Sequence, residues 1–321
     1  MGEIAPVRKR RRWPWWVAGV AVLCVALVLY SGLVVFSLTH PSRDVLRTNP
    51  GLWGLSYQNV TFPSRAGGLQ LQGWWIPSPG AKLTVVLAHG YSSNRAMDSL
   101  PGLALASALH NMGANVLMFD FRAEGASPGT EVTVGVKEQW DLVGAVEAAR
   151  STFAPGVPVA VIGYSMGAST ALLAAEDDPN VVAVVADSPF ANLKTYLEAN
   201  LPVWTHLPAV PFNAIIMAIL PIVSGAHASQ ADPLAGLAKL GSWPVLLIAG
   251  LKDQLIPYQN SVLLYNTAKK TDPNASLWLV PMALHTESFK LQPVAYLTHL
   301  YTFLHPFDGA LKAPVLSPAG L

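Results

Sequence analysis

The chain has 321 residues and a formal net charge of +1, so it is long enough for one large domain or two ordinary ones with a sizeable core. Only 12% of its residues are charged, against about 25% in soluble domains, so part of the apolar excess is expected in a membrane or in a very apolar site. The near-neutral charge argues against nucleic acid or a strongly acidic partner, and the single cysteine, Cys24, excludes an intramolecular disulfide.

The first forty residues have the pattern of a signal anchor. Five consecutive basic residues, 8–12, precede residues 13–38, which carry no formal charge and are nearly all apolar. A helix of about 20 residues crosses a bilayer core, so this stretch is long enough to span. The basic residues predict that the tail 1–12 is cytoplasmic and that everything after the helix lies on the outer side. Three tryptophans, Trp13, Trp15 and Trp16, lie between the basic residues and the apolar run, where an interfacial aromatic belt would place them.

A cleaved signal peptide is the alternative for this segment. Such a peptide has a shorter apolar region, about 7–15 residues, and ends in a small-x-small cleavage site. The apolar run is longer than that, and Ser37-Leu38-Thr39 is a poor site. A retained single-pass membrane anchor is therefore the favoured interpretation, followed by a juxtamembrane linker, 39–54, that contains proline and glycine.

Beyond the linker, short β-like runs alternate with longer helix-like runs. Two early strands, 57–62 and 69–76, precede six continuous apolar runs at 83–88, 114–119, 157–162, 181–186, 245–249 and 277–280. Continuous apolar strands are typical of parallel sheets that helices cover on both faces. This pattern predicts a three-layer α/β domain over 55–321, built on a mostly parallel eight-stranded sheet.

One segment, about 191–243, breaks the alternation because it contains no clear strand. It consists of helical pieces interrupted by Pro202, Pro208, Pro211 and Pro221, and its simplest interpretation is a helical cap over the carboxyl edge of the sheet. Two roles stay open for its apolar residues, which either bury the cap against the core or line an acyl pocket. These residues are Trp204, Phe212, Ile215, Ile216, Met217, Ile219, Leu220, Ile222 and Val223.

Ser165 is the candidate nucleophile. It lies in Gly163-Tyr164-Ser165-Met166-Gly167, between a predicted strand and a helix-forming stretch, and G-x-S-x-G in that setting is typical of a nucleophile elbow. The strained turn exposes the serine hydroxyl, and close packing leaves no room for side chains at 163 and 167. The backbone N–H of Met166 stands at the start of the helix, where partial positive charge favours an oxyanion.

Candidates for the base and the acid follow later strands. His285 lies in the loop after the last predicted strand, where a general base for Ser165 is needed. Asp253 follows the strand before it and is the favoured acid, because the acid must meet the histidine loop. Asp187, at the end of strand 181–186, is the alternative acid, and it is equally well explained as a structural residue where the chain leaves the sheet.

From about residue 55 to residue 304 the chain resembles the alpha/beta-hydrolase superfamily, and more narrowly its prolyl-oligopeptidase-like and bacterial esterase branch. The order Ser165, Asp253, His285 is the order of that superfamily. Residues 250–257 are similar to its acid loop, G-x-x-D-x-x-[IV]-P, and residues 89–95 match the H-G-Y-x-x-N pattern of some bacterial members. Residues 120–127 match D-x-R-G-x-G-x-S, except that Ala123 replaces a glycine, a departure expected to have little consequence.

The resemblance implies that the backbone N–H of Tyr91 is the second oxyanion donor and that His89 is structural. It implies acyl transfer through Ser165, without cofactor or metal, on a carboxylic ester that is a small molecule or a lipid. A serine peptidase of the prolyl-oligopeptidase-like type is the alternative, although no propeller domain is recognised in the sequence. A non-catalytic, membrane-tethered binding protein is the alternative of another class. The oligomeric state is not predicted.

Overall fold

The computed structural model describes residues 15–240 and 243–314 of the chain. Within these residues eight strands form one sheet: β1 Gln58–Pro63, β2 Gln70–Ile76, β3 Thr84–Ala88, β4 Asn115–Phe119, β5 Val159–Tyr164, β6 Val181–Asp187, β7 Val245–Gly250 and β8 Ser276–Val280. Their order is β1-β2-β4-β3-β5-β6-β7-β8. β2 is antiparallel to both of its neighbours and every other pair is parallel, so the predicted mostly parallel sheet is confirmed.

Helices cover both faces of this sheet. The described helices are α1 Trp15–Thr39, α2 Gly102–Asn111, α3 Glu138–Ala148, α4 Met166–Asp177, α5 Leu193–Thr205, α6 Ala209–Ser224, α7 Pro233–Leu240, α8 Gln259–Ala268, α9 Ser288–Leu291 and α10 Pro293–Asp308. Successive residues of a strand point to opposite faces, so in β3 Val86 joins the core under α3, α4, α7 and α8, whereas Val85 joins the core under α2 and α10. The three-layer α/β architecture is therefore confirmed.

The N-terminal helix α1 is long and apolar enough to cross a membrane. Its first turns are exposed, but towards its end Ser31, Val35 and Thr39 form a buried stripe with a spacing of four residues. Val35 packs against Leu201 of α5 and Ile216 of α6, so the end of α1 is docked on the cap. The predicted cytoplasmic tail 1–12 and Trp13 lie outside the described residues.

The segment predicted as a linker, 39–54, is held against the α/β domain by side-chain hydrogen bonds. The Arg43 guanidinium donates hydrogen bonds to the carbonyl oxygens of Gly125, at 3.2 Å, and Gly129, at 3.0 Å. The Thr48 hydroxyl donates to the Asp98 carboxylate at 2.7 Å. These contacts attach the segment after α1 to the loops at residues 98 and 125–129.

The predicted insert contains two structurally different parts. α5 and α6 form the cap and bend by 117° relative to each other. α7, by contrast, packs its Leu237 into the core beside α4 and α8, so it belongs to the helix layer of the fold. Pro202 and Pro221 lie inside the last turns of α5 and α6, so the prediction that these two prolines interrupt the helical pieces is wrong.

Candidate active site

The candidate site lies at the carboxyl edge of the sheet, where parallel strands end together. Ser165 follows β5, Asp187 ends β6, Asp253 follows β7 and His285 follows β8, and these four strands are neighbours in the sheet. Ligands of open α/β sheets bind at this edge, in the crevice outside the strand ends. The topology therefore brings residues that are 120 positions apart in the chain, Ser165 and His285, into contact.

Ser165 occupies a strained backbone conformation at the junction of β5 and α4. Its φ of 54° and ψ of −117° lie in a region that non-glycine residues rarely adopt and that costs about 1–3 kcal/mol. A Cβ on Gly163 would overlap the carbonyl oxygen of Gly167, and a Cβ on Gly167 would overlap the carbonyl oxygen of Ala88. Both glycines are thus required by the close approach of β5, α4 and β3, and the turn holds the Ser165 hydroxyl out of the sheet.

His285 joins Ser165 to Asp253. Its Nε2 lies 2.8 Å from the Ser165 Oγ, and its Nδ1 lies 2.7 Å from the Asp253 Oδ2. The Asp253 side chain is fully buried, and its other oxygen accepts hydrogen bonds from the backbone N–H groups of Leu255 and Ile256, both at 2.9 Å. A carboxylate held in this way only accepts hydrogen bonds, so Nδ1 carries the proton and Nε2 is free to accept one from Ser165.

Asp187, the alternative acid, is buried one strand away and bonds to a different partner. Its Oδ1 accepts a hydrogen bond from the Ser188 hydroxyl at 3.0 Å, and the Ser188 oxygen in turn accepts from the backbone N–H of Thr286 at 3.2 Å. Burial raises the pKa of the Asp187 carboxyl to about 7. Asp187 therefore supports the loop that carries His285, whereas the imidazole itself bonds to Asp253.

The loop after β3 approaches Ser165 closely. A Cβ on Gly90 would lie 3.4 Å from the Cβ of Ser165, so the backbone of this loop passes directly beside the nucleophile and delivers Tyr91 next to it. His89 is buried, and its ring both donates to the carbonyl of Gly90 at 2.7 Å and accepts from the N–H of Phe121 at 3.1 Å. Burial lowers the pKa of His89, which fits a neutral, structural histidine.

Met166, the other residue expected to donate to an oxyanion, is the first residue of α4. The first N–H groups of a helix have no partner inside that helix, and the helix dipole adds partial positive charge there. The structure thus places both expected donor residues, Tyr91 and Met166, in segments that adjoin Ser165.

Ala123 occupies a position that favours glycine. Its φ of 59° lies in the left-handed region, and the residue is buried in the turn after β4. The carboxylate of Asp120 holds this turn by accepting from the N–H groups of Arg95, at 2.6 Å, and Ala126, at 2.8 Å. The replacement of glycine by alanine therefore has a conformational cost that sequence reasoning did not anticipate.

An apolar pocket leads away from Ser165 and Met166. It contains about 840 Å³ of space, its open mouth included. Of the cap residues singled out in the sequence, Trp204, Ile216 and Leu220 line it, whereas others, such as Phe212 and Met217, pack in the contact between cap and α1. Burial of the cap is seen where Trp204 and Met217 pack against the cluster that includes Phe190, whereas Ile222 is exposed, and the acyl pocket stays a prediction.

Sequence reasoning missed two parts of the pocket wall. Residues 132–134 contribute one part, and Leu38 and Thr39 at the end of α1 contribute the other. Along a uniformly apolar helix, hydrophobicity does not indicate which face packs against protein. The only available signal was the pair of hydroxyl residues, Ser31 and Thr39, flanking Val35 at helical spacing.

Residues 15–240 and 243–314 contain no group of three His, Cys, Asp or Glu side chains placed to bind a metal ion.

Known proteins agree with this architecture. The family model described as serine aminopeptidase, S33, matches residues 79–231. The uncharacterized protein YqkD of Bacillus subtilis (strain 168) is 30% identical over 302 residues, covering 91% of this chain and 96% of YqkD. The structure of the Pyrococcus furiosus esterase Pf2001 aligns with a TM-score of 0.71 at 28% identity, over 85% of this chain and 99% of the esterase. The chain belongs to the alpha/beta-hydrolase superfamily.

This alpha/beta hydrolase is also similar to a viral protein. The monoglyceride lipase homolog of monkeypox virus is 27% identical over 197 residues, which covers 59% of this chain and 67% of that protein. The resemblance inferred from the elbow and the acid loop is therefore confirmed at the level of the superfamily, and the chain is a hydrolase.

Proposed function

We propose that this alpha/beta hydrolase cleaves carboxylic esters through an acyl-enzyme on Ser165, with His285 as general base and Asp253 as the acid that orients it. The main support is the unbroken hydrogen-bonded chain from the Ser165 hydroxyl through His285 to the buried Asp253 carboxylate, at 2.8 Å and 2.7 Å. Nucleophile, base and orienting acid in mutual hydrogen-bond contact form the arrangement that activates a serine hydroxyl.

The first half of the reaction forms the acyl-enzyme. The Ser165 Oγ attacks the ester carbonyl while His285 Nε2 takes the hydroxyl proton, and the Asp253 carboxylate stabilises the resulting imidazolium. The backbone N–H groups of Met166 and Tyr91 hold the tetrahedral oxyanion. His285 then returns the proton to the alcohol that leaves. In the second half, water attacks the acyl group with the same base and the same donors, which releases the acid and restores Ser165.

An ester is favoured over a peptide by the character of the pocket. Its walls are built mostly from Leu, Ile, Val, Phe and Trp side chains, which suit a hydrophobic acyl group. Similarity to an esterase and to a monoglyceride lipase homolog supports the same substrate class. The description of the matching family as a serine aminopeptidase supports a peptidase as the second candidate.

Hydrolysis of acyl esters and of peptidyl amides distinguishes the two candidates. We expect the purified full-length chain to hydrolyse nitrophenyl acyl esters with a preference for longer chains, and to leave aminoacyl and peptidyl nitroanilides intact. Ser165→Ala should lower ester hydrolysis by at least about a thousandfold, and Ser151→Ala, at an exposed serine, should not change it. Turnover of the nitroanilides in preference to the esters would establish the peptidase instead.

We further propose that α1 is a retained membrane anchor, with residues 1–12 in the cytoplasm, the spanning segment at 13–38 and the hydrolase domain, 55–321, on the outer side. The basic residues 8–12 support this orientation. The stripe by which α1 docks on the cap supports retention of the helix, because its removal would expose Val35's partners and open the wall of the pocket.

A further inference from the structure

Five residues belong both to the contact between α1 and the cap and to the pocket wall. Leu38, Leu197, Leu201, Ile216 and Leu220 lie in the apolar cluster that joins the end of α1 to the cap, and the same five residues line the pocket that starts at Ser165. The seam between α1 and α6 is therefore a wall of the candidate active site. If the contact between α1 and α6 opened, the surroundings of α1 would be connected directly to the pocket that contains Ser165.

The end of α1 is held at this seam by polar contacts as well as apolar ones. The Tyr91 hydroxyl donates to the carbonyl oxygen of Leu38 at 2.7 Å, and the N–H of Val132 donates to the carbonyl oxygen of Thr39 at 2.8 Å. The Thr39 hydroxyl donates a hydrogen bond to the carbonyl oxygen of Val35, within α1, at 2.8 Å. The end of α1 is thus fixed beside the pocket, and the side chain of Tyr91, the proposed oxyanion donor, bonds to it directly.

The cap helix α6 carries an apolar surface that the protein itself does not cover. No Asp, Glu, Lys or Arg lies between Glu198 and Asp232, yet only Ile216 and Ser224 of α6 are buried. Val210 and Ile222 are 85% and 80% exposed. This uncovered apolar face lies beside α1, which is the chain's own candidate span. The two helices meet where the ring centroids of Tyr30 and Phe212 are 6.0 Å apart, so a membrane that surrounds α1 is the nearest apolar medium for α6.

We propose that α6 lies in the bilayer surface beside α1 and that the substrate is a membrane lipid, whose acyl chain reaches Ser165 from the bilayer through the α1–α6 seam. This inference rests on the proposed ester hydrolysis at Ser165. An acyl chain that moves along this route stays in apolar surroundings from the bilayer core to the pocket, so its transfer does not require exposure to water. A lipid that is dissolved in water or held by another membrane has no such route.

The route is tested with the full-length chain reconstituted into phosphatidylcholine vesicles. In one arm the same vesicles contain dioleoylglycerol, and in the other arm dioleoylglycerol is supplied in separate vesicles. Oleate release should be at least about tenfold faster in the first arm. Equal rates in the two arms, or turnover of nitrophenyl acetate without any release of oleate in the first arm, would overturn the route. A chain that hydrolyses neither compound contradicts ester hydrolysis itself, so the two failures are distinguishable.

The seam is tested with two bulky substitutions, Ile216→Trp and Leu38→Trp. Added volume in this packed contact should obstruct a long acyl chain more than acetate, so each substitution should lower the ratio of dioleoylglycerol to nitrophenyl acetate turnover by about tenfold. The control is Leu263→Trp, at an exposed residue of α8 outside both the pocket wall and the α6 surface, which should keep the wild-type ratio. Labelling of Ser165 by a fluorophosphonate verifies that each variant is folded. Labelled seam variants that keep the wild-type ratio would contradict the proposed path.

Discussion

Asp187 and Asp253 are two buried carboxyl groups near His285, and only Asp253 bonds to the imidazole ring. Asp253 bonds to Nδ1, whereas Asp187 bonds to Ser188. Asp253→Asn should therefore lower kcat by about 10⁴, because the amide forces the wrong imidazole tautomer, as known for such triads. Asp187→Asn should keep kcat within about tenfold of wild type, since it leaves the ring partner intact. Steady-state ester hydrolysis decides, and the reverse ranking would move the acid to β6.

The pKa of Asp187 also predicts how stability depends on pH. Burial raises it to about 7 in the folded chain, against about 3.9 when unfolded. Below pH about 4 the carboxyl is protonated in both states, and between about pH 4 and 7 the unfolded chain ionises first, so stability is lost as pH rises. Asp187→Asn cannot ionise, so its Tm relative to wild type should rise across that window.

Thermal unfolding at a series of pH values measures this difference. A Tm difference for Asp187→Asn that is constant from acidic to neutral pH would show that the carboxyl is not held neutral.

Ala123 offers a stability gain at a single residue. Its left-handed backbone costs about 1–2 kcal/mol for a non-glycine residue. Glycine avoids this cost, but its greater freedom in the unfolded chain destabilises the folded state by about 0.5–1 kcal/mol. Ala123→Gly should therefore stabilise the chain by up to about 1 kcal/mol, seen as a higher midpoint in urea. Ala126→Gly, in the same turn, is the control and should not stabilise. A lower midpoint for Ala123→Gly would refute the conformational explanation.

At the scale of elements, the contact between α1 and the cap makes a clear prediction. Val35 is buried against Leu201 and Ile216, whereas Leu33, two residues earlier, is exposed. Val35→Ala should cost about 1–3 kcal/mol and lower the Tm in detergent micelles by several degrees, because it leaves a cavity in this contact. Leu33→Ala removes more apolar volume but no packed neighbour, and should leave the Tm unchanged. Equal effects would mean that α1 is not docked.

The elements show which features a sequence can predict. Strands β3 to β8 are predictable because continuous apolar runs are typical of buried parallel strands. Ser165 is predictable from the elbow motif, and Asp253 and His285 from their loops after the last two strands. The docking of α1 was not predicted, since lipid and protein both favour the same apolar side chains. The left-handed backbone at Ala123 was not predicted either, because it depends on how Asp120 closes the turn.

At the scale of the whole molecule, the positions of the basic tail and of α1 predict a topology. Alkaline phosphatase fused to the C-terminus should be active in intact bacteria, because that enzyme matures only outside the cytoplasm. Replacing Arg8, Lys9, Arg10, Arg11 and Arg12 with serine should reduce its activity, since these charges hold the N-terminus inside. An inactive phosphatase together with a fluorescent C-terminal green fluorescent protein would place the hydrolase domain in the cytoplasm.

The central proposal is that Ser165, activated by His285 and Asp253, is the nucleophile of an ester hydrolase. Labelling of the purified chain with a fluorophosphonate, followed by mass spectrometry of its peptides, measures this directly, because the reagent modifies only an activated serine. The modification should fall on Ser165, and it should disappear in Ser165→Ala and be strongly slowed in His285→Ala. An unlabelled wild-type chain, or undiminished labelling of Ser165→Ala, would contradict the assignment.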